Sequence, residues 1–283
     1  MTGLKGSLAR HLSIFIVLLT IWEGAARVGL ADPLVLPAPS LILAAFFRLY
    51  VEQGNIYYHL GITLAEVFVG FALGAAFGIV LAIGIGMNAL ARRLIKPYII
   101  VLEATPRIAI GPLILAALGF GWSSKMVIVM LVSFFPPFVN TLSGMLNVDE
   151  DAHQLFKSLR ASKLQVFRKL MLPDAMPVIM AGLRLAMTSA LSGALVAEFI
   201  SAGAGVGVLL KRYTGALNMP SAFACMFTLT LVGFAVFRLM EWADRRLIFW
   251  RHSGPMQAVA ARRRRRFVGA VGGDSARPAE VPA

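Results

Sequence analysis

Charged residues inside long apolar stretches are the feature of this sequence most able to support chemistry. An ionised group away from water is costly, so it is retained where it has a partner or a function. Five such residues are candidates for the lining of a water-accessible path: Glu66, Glu103, Arg107, Arg184 and Glu198. Glu103 and Arg107 are one helical turn apart and can pair, so a simple ion pair near a helix end is the alternative for these two. For Arg184 the alternative is a position near the end of a span, where its long side chain reaches the membrane interface.

The sequence shows no pattern typical of a catalytic or cofactor site. The phosphate-binding pattern G-x-x-x-x-G-K-[ST] does not occur, so we expect no ATP hydrolysis on this chain. The four histidines are too far apart along the chain for a metal-ligand spacing, and the single cysteine cannot form an intrachain disulfide. We predict that the chain is not an enzyme and carries no cofactor of its own.

The composition predicts a membrane protein. Apolar residues make up 58% of the 283 residues and charged residues only 14%, against about 45–50% and about 25% in soluble domains. A soluble core of this size cannot bury that excess. Six stretches have the length that crosses a bilayer as a helix: 12–30, 60–87, 98–120, 126–146, 178–200 and 222–248. We therefore predict an all-α membrane protein with about six transmembrane helices.

Glycines and prolines in these stretches predict how the helices pack and bend. Gly70, Gly74 and Gly78 repeat at every fourth position, which allows a neighbouring helix to approach closely. Pro136 and Pro137 remove two backbone donors, and we expect a break in the fourth stretch there.

The distribution of positive charge predicts the orientation. Most of the 27 Lys and Arg residues fall in segments on one side of the six helices, which places both termini in the cytoplasm of a multi-pass inner-membrane protein. We interpret the first stretch as a retained helix, with a cleaved signal peptide as the alternative. The basic run 262–266 predicts contact with anionic lipid rather than with nucleic acid. The expected divisions are an N-terminal segment 1–57, a core 58–250 and a disordered tail 251–283.

The polar segment 147–177 is patterned rather than a simple linker. Acidic residues at 149–151 suit the start of a short helix, and Ser162 with Gln165 has the spacing of a capping box that begins a second one. We expect Pro173 and Pro177 to end the second helix. Two amphipathic helices of this kind either lie on the bilayer surface or dock on a soluble partner.

This segment resembles the coupling loop of type I ABC importer permeases, with the motif E-A-A-x3-G-x9-I-x-L-P. Anchored on Leu172 and Pro173, the motif places Leu170 on the Ile and Arg160 on the Gly. Gln154, Leu155 and Phe156 then occupy the E-A-A positions. The segments LPAPSLILAAF, VFVGFALGAAFGIVLAI, FFPPFVNTLSGM and ASKLQVFRKLMLPDAMPVIMAGLRLAMTSALSGALVAEF are similar to the nitrate, sulfonate and taurine branch of these permeases.

The resemblance implies a permease subunit that forms a dimer with a second copy of the same chain. It also implies docking on a separate ATPase that binds ATP and Mg²⁺, and delivery of substrate by an extracytoplasmic binding protein. The coupling residues would be Gln154, Leu155, Phe156, Leu159, Arg160, Phe167, Leu170, Leu172 and Pro173. The implied substrate is a small anion of the nitrate, sulfonate or taurine class, with a thiamine-precursor-like heterocycle as the alternative.

The sequence departs from the motif where the motif has small residues. Arg160 replaces a glycine that would allow a left-handed turn, which costs about 1 kcal/mol or requires a different turn. Leu155 and Phe156 replace alanines, so a matching ATPase needs a larger socket or the coupling has been lost. The alternatives from other classes are an ion-coupled secondary transporter that uses buried acids and has no ATPase, and a non-transporting membrane scaffold.

Overall fold

The computed structural model describes residues 2–30, 32–88, 90–91, 94–95, 98, 107–201 and 203–248, and every regular element in these ranges is helical. We number the α-helices in chain order: α1 Thr2–Arg27, α2 Pro39–Phe47, α3 Asn55–Gly86, α4 Gly111–Leu118, α5 Trp122–Leu146, α6 Glu150–Ser158, α7 Lys163–Val166, α8 Leu172–Ile200, α9 Val206–Gly215 and α10 Met219–Leu247. A 3-10 turn at Arg107–Ile110 precedes α4, and π turns lie at Arg48–Glu52 and at Phe167–Met171.

Four helical segments in the described ranges are long and apolar enough to cross a membrane: α3, α5, the segment Lys163–Ile200 and α10. Side chains such as Leu73 and Phe77 of α3 are more than half exposed, as expected for a surface that faces lipid. The predicted fold class, an all-α membrane protein, is confirmed. The count of six spans stays a prediction: α1 is not among these four segments, and residues 99–106 of the stretch 98–120 lie outside the described residues.

The helices α3 and α5 pack against each other through the predicted glycines. A Cβ atom added at Gly74 would meet the carbonyl oxygen of Met130, and one at Gly78 would lie 2.6 Å from the carbonyl oxygen of Phe134. At Gly70 the added atom would lie 2.5 Å from the side chain of Val129. The repeat therefore brings the α3 backbone onto the α5 backbone, as the spacing predicts.

We expect Gly74→Ala to destabilise the bundle by about 1–3 kcal/mol, because the added methyl group pushes α3 away from rigid backbone atoms of α5. The matched control is Gly84→Ala in the same helix, where nothing lies within 4 Å of an added Cβ atom. Chemical unfolding of the purified protein in detergent measures both variants. Equal stability of the two would contradict close packing at Gly74.

Two predictions about prolines are wrong. The helix α5 continues through Pro136 and Pro137, and the side-chain amide of Asn140 donates a 2.8 Å hydrogen bond to the Pro136 carbonyl oxygen. Likewise, Pro173 does not end a helix but lies in the first turn of α8, where a missing N–H costs little. Since Pro177 lies inside α8, the second loop helix is the N-terminal part of the long segment Lys163–Ile200.

The two ends of the bundle are distinct. At one end the start of α3 and the start of α5 meet the end of α8, and we call this the charged-cluster end. At the other end Met145 of α5 packs with Ala175 and Ile179 of α8, next to α6 and α7, and we call this the loop end. The long helices thus run from one candidate site to the other.

By its internal contacts the chain divides into two compact units, Met1–Met240 and Glu241–Ala283. Within the described part of the second unit, Arg245 pairs with Glu241 at 3.6 Å and Arg246 lies 5.5 Å from the ring centre of Trp242. The basic run 262–266 lies outside the described residues. The divisions at 57 and 250 stay predictions.

Candidate functional site

A buried ion pair lies at the charged-cluster end. The ammonium group of Lys125, at the start of α5, is 3.0 Å from Oε1 of Glu66 in α3. The same ammonium group donates a 2.7 Å hydrogen bond to the carbonyl oxygen of Ala204, in the loop between α8 and α9. Glu66 is fully buried and Lys125 is 4% exposed. Lys125 therefore joins α3 and α5 to the segment 203–205 that precedes α9.

The second buried carboxylate, Glu198, lies near the end of α8 and holds the start of α9. Its Oε1 accepts a 2.7 Å hydrogen bond from the hydroxyl of Thr63, and its Oε2 accepts a 2.5 Å bond from the amide of Gly207. A carboxylate at a helix N-terminus satisfies free amides and the positive end of the helix dipole. Gly205 has φ +135° and its Cα faces this carboxylate so closely that a side chain there would collide with it.

The α3 face that lines the cluster carries His59, Thr63 and Glu66. The amide of Gly205 donates to Nδ1 of His59 (3.0 Å), and the amide of Val206 donates to the hydroxyl of Thr63 (2.9 Å). Sequence reasoning missed Lys125, Thr63 and His59 as partners, although His59, Thr63 and Glu66 recur at helical spacing on one face. No spacing along the chain could have indicated Lys125, which is 59 residues from Glu66.

The cluster is built to hold three helices and a loop in one arrangement. The ammonium group of Lys125 neutralises Glu66, and Glu198 is held by hydrogen bonds from Thr63 and Gly207. Within the described ranges no group of three or more His, Cys, Asp or Glu residues could hold a metal ion. The cluster thus fixes geometry through charge and hydrogen bonds, and removal of Lys125 or of Glu66 alone leaves the other charge buried without compensation.

Arg184 lines a cavity of about 350 Å³ between α8 and α10. It lies twelve residues after the start of α8, because this helix begins before the apolar stretch, and its expected position near the end of a membrane span stays a prediction. The cavity walls are mostly apolar and include Phe234 and Phe237, with the hydroxyl-bearing Thr188 and Thr230 near Arg184. One guanidinium group, two hydroxyl groups and two aromatic rings suit a small ligand with an anionic or a flat polar part.

Two of the five predicted path residues lie outside what the structure describes. Glu103 is not among the described residues, and the side chain of Arg107 is not described although its backbone begins a 3-10 turn. The Glu103–Arg107 ion pair therefore stays a prediction. Of the other three, Glu66 and Glu198 meet in the charged cluster, whereas Arg184 lines a separate cavity.

At the loop end, the caps predicted for the coupling loop are confirmed. The carboxylate of Asp149 accepts hydrogen bonds from the amides of Asp151 (2.8 Å) and Ala152 (3.3 Å) and so begins α6. Ser162 and Gln165 form the capping box of α7, with bonds of 3.3 and 2.8 Å.

The predicted coupling residues divide into an exposed set and a half-buried set. Leu155 and Leu159 are 58% and 70% exposed, and Leu164 beside them is 57% exposed. Gln154 and Arg160 are also exposed. The half-buried set attaches the loop to the bundle, where Phe167 and Leu172 pack against Met145, Ala175 and Ile179; its members are Phe156, Phe167, Leu170, Leu172 and Pro173. Exposed leucines on a polar helix are typical of a docking surface.

Arg160 adopts the left-handed turn that the glycine of the motif would provide. Its φ is +52°, and the amides of Arg160 and Ala161 donate to the carbonyl oxygens of Lys157 and Phe156, each at 3.0 Å. This pair of bonds is a Schellman C-cap, which usually has glycine at the left-handed position. The turn type is therefore retained despite the substitution, and the helix end holds an arginine in a conformation that favours glycine.

We expect Arg160→Gly to stabilise this turn by about 1 kcal/mol, because glycine adopts positive φ without steric cost. Hydrogen exchange at the Arg160 and Ala161 amides should slow about fivefold. The control is Ser158→Gly at the last residue of α6, where glycine weakens the helix and exchange should become faster. A shift of both variants in the same direction would contradict strain at Arg160.

Comparison with known proteins agrees with this architecture. The model of the family described as "Binding-protein-dependent transport system inner membrane component" matches residues 74–249. The formylaminopyrimidine transport permease protein ThiX of Halalkalibacterium halodurans is 32% identical over 237 residues, covering 84% of this chain and 94% of the relative. A putative aliphatic sulfonates transport permease protein, SsuC of Bacillus subtilis, is 30% identical over 84% of this chain and 86% of its own length.

A third relative is the taurine transport system permease protein TauC of Escherichia coli, at 29% identity over 83% of this chain and 86% of its own. Among solved structures, an amino acid ABC transporter has a TM-score of 0.57 at 16% identity and covers 72% of this chain and 97% of that one. The MetNI methionine ABC transporter, in an inward-facing conformation, has a TM-score of 0.52 over 71% of this chain and 95% of that one. These structures show a shared fold.

The chain belongs to the binding-protein-dependent transport system inner membrane components, and it is a membrane permease subunit of the type I ABC importer class rather than an enzyme.

Proposed function

We propose that the chain is the permease subunit of an ATP-driven importer for a small anion of the nitrate, sulfonate or taurine class. The observation that carries the proposal is the continuous segment Lys163–Ile200, which begins in the exposed coupling loop, lines the Arg184 cavity and ends at the buried Glu198. A displacement of the loop by an ATPase would therefore reach both the cavity and the charged cluster through one helix. Rigid helices that connect two sites are a common means of switching access.

The mechanism follows from this connection. Leu155, Leu159 and Leu164 would insert into a groove on a separate ATPase, and closure of the ATPase pair on ATP and Mg²⁺ would move the loop. The bundle would then alternate between outward and inward access, with ATP binding to the partner and not to this chain. On this proposal, the bulky residues at the alanine positions require a partner with a large groove.

The remaining partners follow from the family. A second copy of this chain would complete the translocation path, and an extracytoplasmic binding protein would deliver substrate to the charged-cluster end. In this arrangement the loop end and both termini face the cytoplasm of a bacterial inner membrane, in agreement with the distribution of positive charge.

The substrate class rests on Arg184. A guanidinium group in a largely apolar cavity binds an anionic group through charge-assisted hydrogen bonds. The second candidate is a thiamine-precursor-like heterocycle, favoured by the 32% identity with a formylaminopyrimidine permease and by Phe234 and Phe237 in the same cavity. Aromatic rings stack on flat heterocycles, so the two candidates use different walls of one cavity.

The test is purification of the tagged chain from native membranes, followed by reconstitution with the ATPase and binding protein that accompany it. We expect ATP-dependent uptake that taurine, an alkanesulfonate or nitrate inhibits by competition. Competition by a formylaminopyrimidine alone would favour the second candidate. Uptake driven by an ion gradient without ATP would instead support a secondary transporter and contradict the proposal.

We expect Arg184→Gln to raise the KM for an anionic substrate at least tenfold, the effect of losing one charged hydrogen bond of about 1.5–3 kcal/mol. Import of a neutral heterocycle should change little. The control Arg48→Gln removes an exposed guanidinium group that does not line the cavity, and uptake should stay normal. An unchanged KM in Arg184→Gln would place the anion elsewhere.

A further inference from the structure

The coupling-loop helix α6 has two faces with different chemistry. Leu155 and Leu159 are one turn apart and form the exposed apolar face. His153 and Lys157 are also one turn apart, and each is two residues from a leucine of the other pair. Two residues correspond to about 200° of helical rotation, so the histidine and the lysine lie on the side opposite the leucines. The proposed ATPase contact uses only the leucine side.

The opposite side of α6 borders a cavity of about 340 Å³. Its cationic wall is formed by Lys157 and Lys163, with His153 beside them. Its apolar wall is formed by Met87 at the end of α3, and by Phe167 and Met171 in the π turn that leads into α8. The leucines of the docking surface do not line it. The cavity is therefore separate from the proposed ATPase contact and differs from it in charge.

The cationic wall has no acidic counterpart in the part of the chain that the structure describes. No ion pair involves Lys157 or Lys163 there, and both side chains are exposed. The acidic residues of α6, Glu150 and Asp151, lie in its first turn, six or more residues before Lys157, and the carboxylate of Asp149 just before them accepts two hydrogen bonds. Two ammonium groups that border an apolar hollow suit a ligand that carries a phosphate group and an apolar part.

The position of the cavity along the bundle indicates the source of such a ligand. The helix α3 has 32 residues and is therefore about 48 Å long, enough to cross the hydrocarbon core and reach the headgroup layer. Gly86 and Met87, which line the cavity, lie at the end of this helix. A basic pocket between helices at this depth is the setting in which anionic lipid headgroups bind on the cytoplasmic side.

We infer that this cavity binds the headgroup of an anionic phospholipid of the cytoplasmic leaflet, with the phosphate between Lys157 and Lys163 and the adjoining glycerol and upper acyl carbons against Met87, Phe167 and Met171. The assignment to the cytoplasmic leaflet rests on the proposed function. Because the lipid and the ATPase use opposite sides of α6, both can be bound at once. The lipid holds α6 against the end of α3, and this keeps the leucine face directed outward.

The test uses the purified transporter, with its ATPase, in mild detergent. Native mass spectrometry measures retained lipid after addition of phosphatidylglycerol or of phosphatidylcholine with the same acyl chains. We expect the wild type to retain phosphatidylglycerol selectively. The double variant Lys157→Gln/Lys163→Gln should bind it about thirtyfold more weakly, as expected for loss of two cationic groups near a headgroup.

The matched control is Arg168→Gln/Lys169→Gln, which removes two exposed cations from the same loop that do not line the cavity. It should bind phosphatidylglycerol as the wild type does, and Lys157→Arg/Lys163→Arg should retain binding as well. Equal loss in both glutamine pairs would mean diffuse attraction to the charged surface and would overturn the proposal. Competition by glycerol 1-phosphate as strong as that by the whole lipid would also overturn it, because the ligand would then be a free phosphate compound.

Measurement of ATPase association in the same preparations separates this inference from the proposed function. Lys157→Gln/Lys163→Gln should lose lipid and keep the ATPase, whereas Leu155→Asp/Leu159→Asp should lose the ATPase and keep lipid. If the wild type retains phosphatidylglycerol but no ATPase co-purifies with it, this result contradicts the proposed function and leaves the lipid proposal standing. Loss of lipid in the leucine variant would show that the two sides of α6 are one site, and would overturn the lipid proposal.

Discussion

Lys125→Met is expected to destabilise the folded bundle by about 3–5 kcal/mol, because it leaves Glu66 buried without the ammonium group that neutralises it. The carbonyl oxygen of Ala204 loses its donor at the same time, so the segment 203–205 is released from α5. Little folded protein should remain in the membrane, and uptake should be lost with it. Chemical unfolding in detergent and the amount of protein in the membrane fraction measure the effect.

A double-mutant cycle shows whether the pair is the cause. Lys125→Met/Glu66→Met removes both charges and fills the same space with apolar atoms, so most of the lost stability should return. Glu198 keeps its bonds from Thr63 and Gly207 in this variant. If the double variant is as unstable as the sum of the two single variants, Lys125 acts through its contact with Ala204 rather than through Glu66.

Leu155→Asp/Leu159→Asp should abolish ATP-driven uptake while the protein stays folded in the membrane. Both side chains are more than half exposed, so two carboxylates there cost the isolated permease little. Two charges in the apolar groove of an ATPase would be desolvated without a partner, at several kcal/mol each, which is enough to prevent docking. Co-purification of the ATPase and uptake in reconstituted vesicles are the measurements.

The control is Leu217→Asp, a change of the same chemistry at a residue that is 60% exposed in the turn between α9 and α10. This turn lies next to the charged-cluster end, so docking of an ATPase at the loop end should be normal. Normal ATPase association in the Leu155/Leu159 variant would refute the docking surface. Loss of association in both variants would indicate a general effect of added charge rather than a local contact.

Much of the local structure followed from short-range patterns. The cap at Asp149, the capping box of Ser162 and Gln165 and the close approach at Gly74 each depend on residues a few positions apart, and the structure confirms all three. The predictions that the second loop helix ends at Pro173 and that α5 breaks at Pro136 were wrong. The rule that proline interrupts a helix describes the interior of an isolated helix. In the bundle, Pro173 lies in the first turn of α8, where a missing N–H costs little, and α5 packs against α3 and α8 and continues through Pro136.

The sequence by itself determined that the chain is an all-α membrane protein of a recognisable permease family, because apolar length and the order of motif segments are properties of the linear chain. It also indicated the loop that we propose as the docking surface. Only the tertiary structure decided that Lys125 is the partner of Glu66, that Arg184 lines a cavity, and that Arg160 takes the turn of a glycine. These depend on side chains from distant segments and on backbone angles, and the free energy that selects them arises from packing rather than from local spacing.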